Sequence, residues 1–183
     1  EAGEREAARA LLTRQSRFFE DSVVLDLAVA DLDAGRLPSA PIRDAVTGMA
    51  DALLSLAAAL QEQGLSAQAM LYARLATFMA PEAGDAWLVL ARSFQAQGNA
   101  EAAAQLLDRV PEGSPYRWNA KLARAEALRG LGRPEEALAL LRAMADERPD
   151  RVDALVAMGD LERGRERYAE AAKAYSEAIG RLP

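Results

Sequence analysis

From Trp87 onward the apolar residues return at spacings of three and four, so that Trp87, Leu90, Ala91 and Phe94 share one face of a helix. Leu53, Leu56, Ala57 and Leu60 make the same pattern upstream, and Leu155, Met158, Gly159 and Glu162 stand in the corresponding places near the end. A second kind of helix follows each of these, most plainly Tyr168, Ala171, Tyr175 and Ala178. The breaks between helices are marked by residue type. Glycine after the first helix of a pair supplies a left-handed turn, and proline after the second stops it. Nothing in this pattern alternates with the period of two that a half-buried strand requires.

The breaks are themselves periodic. Pro81, Pro115, Pro149 and Pro183 are each 34 residues apart, as are Gly64, Gly98 and Gly132. Ala69, Ala103, Ala137 and Ala171 keep the same interval in the middle of each second helix. In this period, and in Trp87-x-x-Leu90-Ala91-x-x-Phe94, the chain resembles the tetratricopeptide repeat family, whose unit is a helix–turn–helix. The resemblance covers units at 50–83, 84–117, 118–151 and 152–183, about three quarters of the chain. It implies an all-α fold, a right-handed α-solenoid of antiparallel helix pairs.

The third unit departs from the pattern, since Lys121 and Arg124 occupy places for large apolar residues, with Leu122 and Leu128 nearby. Either their stems pack while the charges reach water, or the helix is rotated, and Trp118 is placed to cover the gap. Pro111 predicts that the preceding helix ends about a turn early, leaving Pro111 to Pro115 as an exposed connection.

Residues 1–41 read as a separate N-terminal segment, out of register with the array at 42–183. Glu4 to Ser16 is expected to be a helix resembling the second helix of a unit, and Asp21 to Ala34 another, with Val24, Leu25, Ala28, Val29 and Leu32 apolar. A turn-rich connector, Gly35 to Pro41, follows. Ile42 to Thr47 is either a short helix or an extension of the next, and Gly48 favours a break. The start at Glu1, without methionine or a signal-like stretch, suggests a fragment or processed product whose targeting segment lies elsewhere. The compartment, bacterial cytoplasm or periplasm, stays open. Alanine richness and the use of lysine only at Lys121 and Lys173 suggest a GC-rich bacterial gene.

Composition narrows the chemistry. Only ten of the 183 residues are aromatic, which suits close-packed helices better than strands. The net charge of −6 argues against a nucleic-acid backbone as partner. No apolar run is long enough to span a membrane. Without histidine or cysteine the chain lacks the common zinc ligands, the Ser-His-Asp triad, thiol chemistry and disulfides. Neither G-x-x-x-x-G-K-S/T nor G-x-G-x-x-G occurs, so no phosphate-cradling loop is indicated. Asp31-x-Asp33-x-Gly35 faintly resembles a calcium loop, but Ile42 stands where the bidentate glutamate belongs. Glu135/Glu136 and Asp146/Glu147 are the nearest approach to acid–base pairs, and the first pair opens a helix, where negative charge suits the dipole. The five methionines read as core filling. No enzyme, metal site or cofactor is therefore expected.

What remains is a surface. The family resemblance implies a concave wall made by the first helices, where extended peptides or partner helices bind. By position that wall holds Asp51, Leu54, Ala58 and Gln61, then Asp85, Leu88, Arg92 and Gln95. It continues through Asn119, Leu122, Glu126 and Arg129 to Asp153, Val156, Asp160 and Arg163. The lysine/asparagine carboxylate clamp of chaperone-binding members is not supported, because Leu54, Ser55, Ala58, Leu88 and Val89 stand in its places. Leu54, Leu88, Leu122 and Val156 form either an apolar line along the wall or ordinary interhelical packing. The function expected is a protein- or peptide-binding scaffold; the alternative is self-association, with an uncapped face at Ala172, Tyr175 and Ile179 covered by a like molecule or a further capping helix.

Overall fold

The protein is described by a computed structural model covering residues 2–16, 23–36 and 44–182. It divides into two compact regions, Glu1–Gly48 and Met49–Pro183. In the first, α1 (Ala2–Ser16) packs against α2 (Val23–Asp33), and an Arg9–Asp33 ion pair links the two helices. These are the two helices expected at the N-terminus. Asp21, where the second was expected to begin, lies outside the described residues, as do residues 37–41 of the connector and Ile42.

The second region is a series of helix pairs: α3 (Ala45–Glu62) with α4 (Ser66–Met79), α5 (Gly84–Ala96) with α6 (Ala100–Leu107), α7 (Arg117–Gly130) with α8 (Pro134–Glu147), and α9 (Asp153–Gly164) with α10 (Tyr168–Arg181). Among the described residues there is no strand. The second helices fall inside the 34-residue units of the sequence, while α3 begins at Ala45, five residues before the unit at 50–83. The break expected at Gly48 does not occur: α3 runs through it, and the Gly48 N–H donates to the Asp44 carbonyl at 3.0 Å. Asp44 caps this helix by accepting from the Thr47 N–H at 2.8 Å, while Thr47 Oγ1 accepts from the Asp44 N–H at 3.1 Å. That reciprocal cap offsets the roughly 1 kcal/mol by which glycine weakens a helix relative to alanine.

Close approach at one small residue per helix organises the stack. Ala57, Ala91, Ala125 and Gly159 of the first helices are all buried, as are Ala69, Ala103, Ala137 and Ala171 of the second. At Gly159 an added Cβ would lie 2.3 Å from the Tyr175 ring, which would have to move to make room. Larger residues fill the space beside these contacts: Leu107, Leu141, Met144 and Leu155 are the largest fully buried side chains of the array.

The irregular third unit is reconciled by charge. Lys121 pairs with Glu147 at 2.7 Å, and Arg124 pairs with Asp108 at 3.0 Å, so the stems pack while both charges find partners. Trp118 is buried; its indole N–H donates to Asp153 at 2.7 Å, and Arg151 lies over its ring. As Pro111 predicts, α6 is short and ends at Leu107. The carbonyls it leaves are met by Arg117, which donates to Val110 at 3.0 Å and to Leu107 at 3.4 Å.

Between the helices of a pair, Gly64, Gly98 and Gly132 all have positive φ. In the last unit Glu166 takes that place, with φ 61°. A left-handed conformation costs a residue bearing a Cβ about 1 kcal/mol. Glu166→Gly should therefore raise stability by up to about 1 kcal/mol, read as a higher denaturant midpoint with unchanged slope.

Candidate functional site

The sixteen wall positions fall on α3, α5, α7 and α9, four to a helix, but burial divides them. Leu54 and Leu88 are each only 7% exposed. Leu54 shares a buried cluster with Ala86, and Leu88 shares one with Ala120, in each case the first helix of the next unit. Leu122 packs, half-buried, against a cluster that includes Ala154. Val156, on the last first helix among the described residues, is 40% exposed. The row is therefore a seam between successive units, and it opens toward the solvent only at its C-terminal end.

There the wall opens into a cleft of ≈ 470 Å³ between α7 and α9, floored by Leu141 of α8. Leu122, Glu126, Arg129, Asp160 and Arg163, five of the positions named from sequence, converge on it. Ala125, Ala157, Leu161 and Gly164 complete the lining. These, with Leu141, escaped the sequence reading. Ala125 and Leu141 occupy motif positions that pack each unit, and no sequence signal says that such residues also floor an opening. The cationic rim is internally balanced: Arg129 donates to Glu126 at 2.7 Å, and Arg163 donates to Asp160 at 3.0 Å. Tyr175 of α10 adds a second bond to Asp160 at 2.8 Å. The cleft thus offers an apolar floor inside a polar but locally neutral rim.

The N-terminal end of the wall has a different electrostatic character. Asp51 and Asp85 stand at equivalent places on α3 and α5, and neither forms an ion pair with a described residue. Asp85 accepts a hydrogen bond from the Ala86 N–H at 2.9 Å. Burial, with a smaller contribution from the Asp51 charge, pushes the Asp85 carboxyl above its ordinary value against the backbone hydrogen bonds that lower it. Burial and the same two carboxylates push the Tyr116 phenol up as well. Further along, Asn119 repeats the position with a shielded Oδ1 that meets no donor, and Asp153 is neutralised by Arg151 at 2.7 Å. The position is therefore a column of acceptors, bare at one end and compensated at the other.

The remaining candidate chemistry resolves into structural contacts. Glu135 is held below the usual carboxylate range by its own backbone N–H and by Arg165, and Glu136 by Arg133. A general acid needs a shift in the other direction. Asp31 pairs with Arg36 at 2.6 Å and Asp33 with Arg9, so both carboxylates of the calcium-like stretch are engaged. Among the described residues no group of three acidic side chains is placed to hold a metal ion.

Comparison with known proteins agrees with this architecture. Residues 54–117 and 122–183 match the tetratricopeptide repeat family. No curated protein sequence matches the chain. The fold is similar to a crystal structure of MamA, with a TM-score of 0.59 at 14% identity, over 98% of this chain and 90% of that one. It is also similar to YrrB, described as a TPR protein with an unusual peptide-binding site, with a TM-score of 0.56 at 19% identity over 96% of this chain and 83% of that one.

The division of the wall into seam and surface has a direct consequence for stability. Leu88→Asp places a carboxylate in the seam and should cost about 3 kcal/mol or more. Val156→Asp, at the equivalent but exposed position, should stay within about 0.5 kcal/mol of the parent. Denaturant titrations of the two variants side by side check the difference.

Proposed function

This chain belongs to the tetratricopeptide repeat family, and we propose that it is a protein- or peptide-binding scaffold whose binding surface is the wall made by its first helices. The observation that carries this reading is the cleft between α7 and α9, where residues at repeated positions of two units converge on one opening with an apolar floor. Repeat arrays of this kind bind through extended surfaces of successive units. The cleft has room for a large apolar side chain, and burying one contributes about 1.5–3 kcal/mol. We assign the chain no catalytic role, because its sequence lacks histidine and cysteine and its paired carboxylates serve the structure. A net charge of −6 weighs against a nucleic-acid partner.

Ala157 lines the cleft and is half-buried, so Ala157→Phe should fill the opening while keeping the helix. Captured partners should fall at least tenfold relative to the parent, with helical content unchanged by circular dichroism. Undiminished capture by a folded Ala157→Phe protein would remove the cleft from the binding surface.

A second reading, self-association, is favoured by the outer edge of α10. Ala172 is exposed and Ile179 is 68% exposed, as is Tyr168 at 66%, whereas Tyr175, expected on this face, is half-buried against Gly159 and bonded to Asp160. If like molecules cover this edge, sedimentation should show a mass that rises with concentration, and Ile179→Glu should abolish that rise. A concentration-independent monomer would set the reading aside.

A further inference from the structure

The wall has two chemically distinct regions, and together they specify a kind of ligand. The C-terminal region is the apolar cleft, whose rim charges are already matched: Arg129 by Glu126 and Arg163 by Asp160. It therefore selects for an apolar side chain and against no particular charge. The N-terminal region presents Asp51 and Asp85, carboxylates with no cationic partner among the described residues. Asp51 follows Ala50 and Asp85 precedes Ala86, two residues that share one buried cluster between α3 and α5, and Asp85 is also half-buried. Arg92, an exposed cation of the same helix, is two turns further along α5, about 10 Å from Asp85 in axial rise, and forms no ion pair with either carboxylate. An approaching cation would offset the lost hydration of Asp85 and complement both carboxylates, whereas an approaching anion would be repelled by them.

We propose that the wall takes an extended peptide that seats one large apolar side chain between α7 and α9 and sets a lysine or arginine against Asp51 and Asp85. This rests on the scaffold reading and adds the chemistry of the partner. Packed helices lie about 10 Å apart, so two steps along the stack separate the regions by about 20 Å. An extended chain covers that distance in about six residues. The apolar residue and the basic residue of the partner should be separated accordingly. A lysine or arginine fits better than a bare metal ion, since two carboxylates supply fewer oxygens than a hard divalent cation takes.

The experiment selects displayed random linear peptides, long enough to span both regions, on the parent protein, with Ala157→Phe as the counter-selection. Enriched peptides should carry a large apolar residue and a Lys or Arg about six residues apart. A synthetic enriched peptide in which that basic residue becomes Glu should bind the parent at least tenfold more weakly. On the Asp51→Asn/Asp85→Asn variant, checked for an unchanged thermal transition, the same peptide change should make little difference. Enriched peptides without a basic residue at that distance would overturn the inference, as would a penalty that persists in the double variant, and both would leave the cleft standing. No enrichment over Ala157→Phe would instead sink the scaffold reading of the wall, and this inference with it.

Discussion

Every helix pair of the array depends on backbones approaching closely at one small residue per helix. Ala57, Ala91, Ala125 and Gly159 on the first helices, and Ala69, Ala103, Ala137 and Ala171 on the second, are buried where a longer side chain would force the helices apart. Separation there would strip contacts from Leu107, Leu141 and Met144, which fill the space beside the crossings, and dense packing gives them no alternative place. The close approach also fixes the rotation of each helix. That rotation puts Leu54, Leu88 and Leu122 into the seam with the next unit and leaves Asp51, Arg129 and Arg163 exposed.

The array tolerates polar residues in motif positions because the same unit, or for Arg124 the preceding one, supplies their partners. Lys121 and Arg124 reach Glu147 and Asp108, and the Arg165–Glu135 pair joins the last two units. Glu162, where the motif calls for an aromatic ring, is buried with Arg165 and Arg167 at 3.7 and 3.8 Å. Its Oε2 has no hydrogen bond, so the pairs only partly compensate its desolvation. Of these contacts, Arg124–Asp108 and Arg165–Glu135 tie one unit to the next.

The wall gains its character from differences between units that share a fold. One column of positions reads Asp51, Asp85, Asn119 and Asp153, and only its last member has a cationic partner among the described residues. Another reads Leu54, Leu88, Leu122 and Val156, and only its last member stands largely free. The repeat thus supplies equivalent places, and the neighbours of each place decide what it does.

The sequence by itself determined the helix pairs, their 34-residue period, the short α6 before Pro111 and the small residues at the crossings. Each is a local consequence of residue type: glycine for a left-handed turn, proline for a stop, alanine where space is short. Local reasoning failed at Gly48, where the Asp44–Thr47 cap outweighs one glycine, and at Glu166, which adopts the turn that its sister positions give to glycine. Only the tertiary structure decided which wall positions are surface. Leu88 and Val156 are equivalent in the period, yet one is 7% exposed and the other 40% exposed. The cleft, too, is a gap between helices from different units, and its floor, Leu141, is indistinguishable in sequence from any other core leucine. Burial depends on neighbours far along the chain, and a period records only that positions correspond, not what covers them.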